Sequence, residues 1–411
     1  MGEAAVPVEV VQTESGWQLL RGGEPYFVKG AGGEDHLDLL AKIGGNSIRT
    51  WGQGQLDERT WPDGRVASLL DLAHERGITV TAGFWVGHPR HGFDYDDAEA
   101  VDRQLQEKIE FVRKWKHHPA VLMWAVGNEV EMQADPERIF PEINRMARAV
   151  KAEDPTRPTI GVIAGVWPDK AEQFARLCPD IDILGINVYG GAVVIPEELE
   201  RQGYDGPYMV TEYGVLGPWE SAKTDWDSPI EQNSTQKASF FGRSYDAAIG
   251  ARPDHALGGY AFLWGQKQER TETWFNLFLK SGEKIASVDV LAERWTGGYP
   301  AGQSPRVGTI ESSLARARVA AGSEHDAMIE AGDADGDPLE FRWVVKRETS
   351  DAKTGGDAEA EPETIDGAVI ATSGSSATVR VPDESGPYRL FVFVYDGKGG
   401  AGTSNVPFYV D

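Results

Sequence analysis

Residues 121–129 read VLMWAVGNE. The first seven, Val121 to Gly127, are apolar or small and carry no charge, the texture of a strand buried on both faces. Asn128 and Glu129 follow as a polar pair where that strand ends. A strand covered on both faces belongs to a parallel sheet with helices outside it, so comparable runs should recur with helices between them. They do: PYFVKG near residue 26, then SIRTW (47–51), TVTAGFWV (79–86), PTIGVI (158–163), IDILGINVY (181–189), PYMVTEYG (207–214) and GYAFLWG (259–265). Each is followed by a helix candidate, the third showing Val101, Leu105, Ile109, Val112 and Trp115 at spacings of three and four on one face. Eight such βα units imply an α/β fold, a (β/α)8 TIM barrel over residues 26–298.

The flanks read differently. VEVVQTESGWQLLRGG is a hairpin turning at Ser15-Gly16, which places residues 1–25 as a plug on the barrel floor. GGYPAGQSPRV marks a Pro/Gly linker at 299–305. Beyond it LEFRWVV, ATVRV and YRLFVFVYD read as antiparallel strands, so residues 306–411 are expected to form a small all-β sandwich. Its acidic stretch SDAKTGGDAEAEPETIDG reads as a mobile loop.

The net charge of −25 repels polyanions, which argues against nucleic acid and anionic membranes and favours a neutral partner. No apolar run approaches the ~20 residues of a spanning helix, so no membrane insertion is expected. Cys178 is the only cysteine and forms no internal disulfide. MGEAAVPVEV lacks the basic start and apolar stretch of a signal peptide. The inferred location is secreted or periplasmic in a bacterium, with any export signal already removed.

A barrel of this kind does its chemistry at the C-terminal ends of its strands. Strand four ends in Asn128-Glu129 and strand seven in Thr211-Glu212-Tyr213-Gly214, strand two carries Arg49, and strand six ends in Asn187 and Tyr189. Two carboxylates facing one another across the mouth suit glycoside hydrolysis, where one protonates the leaving oxygen and the other attacks the anomeric carbon. Arg49 and a tyrosine hydroxyl favour the anion at Glu212, the expected nucleophile. Glu129 is then raised toward neutrality by its ionised partner and serves as acid/base.

These residues also carry a resemblance. Through FVKGAGG, NSIRTW, HPAVLMWAVGNE, INVYGG, VTEYG and FLWG the chain resembles clan A glycoside hydrolases, most of all the catalytic barrels of glycoside hydrolase family 2. The resemblance covers residues 17 to about 297. It implies hydrolysis with retention, Glu129 as acid/base and Glu212 as nucleophile. It further implies that Asn128 bonds the sugar 2-hydroxyl, that Arg49 and Tyr189 orient the nucleophile, and that Trp264 stacks beneath the reacting sugar. Family 2 enzymes usually carry β-sandwich domains before the barrel, whereas here a hairpin precedes it and the sandwich follows. The family's galactosidase, mannosidase and glucuronidase labels therefore do not transfer directly.

Trp51, Trp85, Trp264 and Trp274 stand at the mouth, where aromatic faces stack on sugars, although core packing is the commoner use of tryptophan. His88 lies in the loop after strand three and is a candidate for the pocket lining. No Walker A, GxSxG or HExxH motif occurs, and Asp35 replaces the third glycine of a dinucleotide fingerprint begun by Gly30 and Gly32. No cofactor is expected in the barrel. In the C-terminal module DADGDPLEFRW resembles bacterial polycystic-kidney-disease-like or cadherin-like Ig modules, some of which bind calcium. A calcium ion at Asp333, Asp335 and Asp337 and a solvated turn are the two readings there.

The expected activity is a retaining β-glycosidase that hydrolyses or transfers β-linked units of a neutral oligo- or polysaccharide, a β-glucan first. The alternatives are a catalytically silent sugar-binding barrel and a β-galactosidase- or β-mannosidase-type exo-glycosidase.

Overall fold

The computed structural model describes residues 5–411, so the first four residues of the expected 1–25 hairpin lie outside the described residues. The eight apolar runs form strands β1 (Val28–Gly32), β2 (Ser47–Arg49), β3 (Thr79–Phe84), β4 (Val121–Val126), β5 (Thr159–Ala164), β6 (Ile183–Asn187), β7 (Tyr208–Tyr213) and β8 (Ala256–Ala261). Every neighbouring pair is parallel, and β8 returns to β1 to close the barrel. Helices α1 (Leu37–Lys42), α2 (Leu69–Glu75), α3 (Ala98–Trp115), α4 (Pro136–Glu153), α5 (Lys170–Leu177) and α6 (Ile195–Arg201) alternate with the first seven strands. α7 (Ser234–Tyr245) follows β7 and α8 (Ala286–Thr296) follows β8. The face predicted for α3 is the one that turns inward, with Val101, Ile109 and Val112 buried. No helix among the described residues is long and apolar enough to cross a membrane.

The N-terminal strands Val8–Thr13 and Gly16–Arg21 form a hairpin, extended by Glu24–Pro25 into a three-stranded sheet. Val8 and Leu19 share one buried cluster with Val28, Leu122, Ile160, Ile183, Met209 and Leu257, residues at or near the starts of barrel strands. The backbone N–H of Val8 donates to Thr156 O and that of Trp17 to Asp254 O, both just before strands. The hairpin therefore closes the barrel at the end away from Glu129. Its turn needs Gly16: φ is +115°, and a Cβ there would lie 2.2 Å from Asp254 O.

By contact the chain forms two compact units. One runs to Tyr213 and includes Ser244–Phe262; the other comprises Gly214–Arg243 and Leu263–Asp411. The division thus falls elsewhere than the linker expected at 299–305, because segments after β7 and β8 pack with the C-terminal strands. Lys284–Ile285 pairs in parallel with Gly400–Ala401. Glu340–Arg347, Gly386–Tyr395 and Gly400–Val410 form one antiparallel sheet, while Glu311–Ser312, Glu324–Met328, Ser376–Arg380 and Val369–Ser373 form another. Leu390, Val392 and Val394 join Ala377 and Val379 in a core between these sheets. Phe391 and Phe393, pointing the other way, pack with Leu279 and Ile285. Burial on both faces explains why LFVFV is a continuous apolar run.

No grouping of three potential metal ligands occurs among the described residues. Asp333 Oδ1 accepts from the N–H groups of Asp335 (2.8 Å) and Asp337 (3.1 Å), while Asp335 Oδ2 accepts from Gln303 N (2.7 Å). The acidic 350–367 segment is tied down by cations and amides: Glu361 bridges Lys280 and Lys346, Lys267 Nζ donates to Gly356 O, and Glu359 accepts from Arg270 N.

Candidate active site

Gly127 takes φ +77° and Glu129 φ +51°, so the chain reverses sharply as it leaves β4. A Cβ at Gly127 would come within 2.7 Å of Val130 Cγ2, so the glycine permits the turn. Glu129 N donates to Val162 O of β5 (2.9 Å), which fixes the turn against the next strand. Holding a glutamate at positive φ costs on the order of 1 kcal/mol, strain of the kind concentrated at functional sites.

Glu212 sits near the end of β7, buried, with its carboxylate fully engaged. Oε1 accepts from Arg49 Nη1 at 2.8 Å and from Trp51 Nε1 at 2.7 Å; Oε2 accepts from the Tyr189 hydroxyl at 2.8 Å. Arg49 is itself fully buried and donates also to Thr211 O (3.1 Å) and to Asn128 Oδ1 (2.6 Å). A buried carboxylate that accepts from a guanidinium and two further donors is fixed in place and aimed.

Glu129 stands in the opposite condition. Asn187 Nδ2 donates to its Oε1 at 2.9 Å and to Asn128 Oδ1 at 3.0 Å. Burial, reinforced by the neighbouring Glu212 carboxylate and by Glu131, pushes its carboxyl up to about 8. It therefore holds a proton at neutral pH, as a general acid must. Asn187 is oriented by Thr211, whose hydroxyl donates to Asn187 Oδ1 (2.8 Å) and so turns the amide N–H2 toward Glu129. Asn128 accepts both of its bonds from Arg49 and Asn187 at Oδ1.

Glu129, Glu212, Arg49, Asn128, Asn187 and Tyr189 are thus joined in one hydrogen-bonded network. Trp51 belongs to it through its indole N–H rather than through a stacking face. Trp85 is 39% exposed and His88 is buried beneath it, the two rings stacked at 4.6 Å and 24°. Trp264 and Trp274 differ from expectation. Trp264 has no accessible surface and meets Phe278 edge-on, and Trp274 is buried with Nε1 donating to Leu216 O (2.8 Å). Neither presents a face to a sugar in this conformation, because packing in the second unit has consumed both rings.

Gln53 and Gln55 escaped the sequence reading, and Thr211 was read only as part of the strand-seven motif without its role of orienting Asn187. Gln55 Oε1 accepts from the N–H groups of Trp51 and Gly52, and Gln53 Oε1 from that of Trp85. Thr211 adjoins Glu212 in the quoted motif and was within reach; the two glutamines carry no sequence signal that marks them.

A closed parallel barrel with a carboxylate at the ends of β4 and β7 defines the architecture of a glycoside hydrolase domain. Residues 35–229 match the family described as glycosyl hydrolases family 2, TIM barrel domain. A β-glucuronidase of Paenibacillus borealis is 23% identical over 344 residues, 72% of this chain and 53% of its own. β-Mannosidase A of Emericella nidulans is 32% identical over 108 residues, 25% of this chain and 10% of its own. Among solved structures, Faecalibacterium prausnitzii β-glucuronidase superposes with a TM-score of 0.53 at 18% identity, covering 71% of this chain and 52% of that one. The chain spans about half the length of the Paenibacillus protein.

Proposed function

We propose that this protein is a retaining β-glycosidase. One observation carries the reading: two carboxyls are joined through Asn187, Asn128 and Arg49, one gripped by Arg49, Trp51 and Tyr189 and the other raised toward neutrality by burial. In the first step Glu212 attacks the anomeric carbon while Glu129 gives its proton to the departing glycosidic oxygen, leaving a glycosyl ester on Glu212. In the second, Glu129, now a carboxylate, takes a proton from water or a sugar hydroxyl. That oxygen attacks the anomeric carbon and frees Glu212. Arg49, Trp51 and Tyr189 position the nucleophile, and Asn128 donates to a hydroxyl of the bound sugar.

For the sugar itself, the relatives named β-glucuronidase favour a β-glucuronide over the neutral β-glucan expected from charge. The test is a set of 4-nitrophenyl β-glycosides (glucuronide, glucoside, galactoside, mannoside) with the product anomer followed by NMR. Release of the β-anomer first from any of them supports the reading, and the glucuronide is expected to react fastest. Release of the α-anomer, or cleavage confined to α-glycosides, contradicts it.

A further inference from the structure

Two tryptophans that touch neither carboxylate stand half-open on either side of the strand bearing the acid. Trp85 directly follows β3 and Trp167 follows β5, while Glu129 follows β4 between them. Each is 39% exposed. The pairing Phe84↔Val126 puts Trp85 level with the turn that leads into Glu129.

Both rings are backed by neighbouring loop residues. Trp85 stacks on His88 at 4.6 Å and on His91 at 5.9 Å, and the two histidine rings are 5.5 Å from one another. Rings on opposite faces of an indole would be separated by roughly 7 Å or more, twice an aromatic stacking distance. Both histidines therefore back the same face, and the exposed area belongs to the other face and the edge. The Trp85 backbone is pinned by Gln53 Oε1, in the loop that carries Trp51 and its bond to Glu212. Trp167 rests on glycines. A Cβ at Gly191 would lie 2.5 Å from Cη2 of the ring, and one at Gly165 would lie 3.2 Å from Cε3. The loops after β5 and β6 leave out side chains where the ring packs against them.

A backed indole with open surface at the mouth of a sugar-cleaving barrel suits the C–H face of a pyranose. The reacting sugar is already bounded by Glu129, Glu212, Asn128 and Trp51. We infer that Trp85 and Trp167 are platforms for two further glycosyl units, so that the substrate is a β-linked oligosaccharide or glycan chain laid across the mouth. This deepens the proposed function and rests on it.

The test compares wild type with Trp85→Ala, Trp167→Ala and the double variant on two substrates sharing the cleaved sugar: its 4-nitrophenyl β-glycoside and its β-linked tetrasaccharide. The ratio of kcat/KM for the tetrasaccharide to that for the aryl glycoside is expected to fall at least tenfold in each single variant. In the double variant the losses should multiply, the sites being independent, and Trp→Phe at either position should restore most of the ratio. An unchanged ratio in either alanine variant overturns the inference and leaves the β-glycosidase reading standing. Should wild type cleave no β-glycoside, that reading fails. The inference is then decided by calorimetric titration with cello-, laminari- and manno-tetraose, where it requires binding weakened at least tenfold by each substitution. Absence of binding, or binding indifferent to both tryptophans, overturns it.

Discussion

Glu129 is an acid kept protonated at a cost in stability. Its carboxyl has an ordinary value of 4.5 and is pushed up to about 8 in the fold. Below 4.5 both the folded and the unfolded chain hold the proton and nothing is lost. As pH rises from 4.5 toward 8 the unfolded chain ionises first, so folding loses stability by up to about 1.4 kcal/mol per pH unit, and above 8 the loss levels off. Glu129→Gln cannot ionise and escapes this loss. Its melting temperature should therefore gain on wild type progressively between pH 5 and 8. A difference that stays constant across that range would show that Glu129 is not held neutral by the fold. The same network shows what was legible from single residues. The two glutamates, Arg49 and Tyr189 could be placed because strand ends in a barrel converge and their chemistry is distinctive. Trp51 could be placed at the mouth but not given its hydrogen bond, since sequence does not tell which edge of an indole faces a neighbour.

At the level of elements, all eight barrel strands overlap their apolar runs, because burial on both faces writes itself into composition, although β8 spans Ala256–Ala261 and ends before the FLWG of its run. The turn of the N-terminal hairpin was legible too, but its partner was not: that Gly16 abuts Asp254 is a contact across the chain. Gly16→Ala adds a Cβ against a backbone oxygen in a conformation that alanine resists, and should destabilise the fold by about 2–3 kcal/mol. Unfolding in urea checks this, and a loss below about 0.5 kcal/mol would mean that the hairpin does not press on the barrel as described. The buried Glu231 in the segment after β7 is a larger case. It accepts from Lys237 Nζ (2.5 Å), Thr271 Oγ1 (2.7 Å), Thr273 Oγ1 (2.8 Å) and Asn405 Nδ2 (2.8 Å). Although burial pushes upward, Lys237 and Arg389 hold its carboxyl below the usual range. Glu231→Ala strands a buried lysine and should cost about 3–5 kcal/mol in the same assay; a near-neutral effect would contradict the pairing.

The whole molecule departs most from what the sequence suggests. A Pro/Gly stretch at 299–305 reads as a boundary because local composition is all that a linker rule sees. The contacts of the second unit instead gather 214–243 and everything from Leu263 onward, and no periodicity could announce that Asn405 completes the partners of Glu231. Arg389 adds to this from the same sheet, donating to Pro229 O (2.8 Å) and Asn405 Oδ1 (2.6 Å). A chain ending at residue 300 would lose both residues along with the sheet, taking from Glu231 one of its four hydrogen-bond donors and the Arg389 charge. It should be insoluble or melt at least about 10 °C below the full chain, measured by soluble yield and by thermal unfolding. A 1–300 chain melting like the full protein would show that the C-terminal strands are dispensable to the loops after β7 and β8.

The central claim, that Glu212 attacks and Glu129 exchanges protons, is tested most directly by the configuration of the azide adducts formed by two variants on an aryl β-glycoside with a good leaving group. Glu129→Ala should still form the glycosyl-enzyme and then stall for want of a base, and azide, which needs none, should release the sugar as the β-azide. Glu212→Ala cannot form the intermediate, and azide entering the vacated space should give the α-azide. Exchanged configurations would mean that the two roles are reversed, and full activity in either variant would mean that the chemistry lies elsewhere.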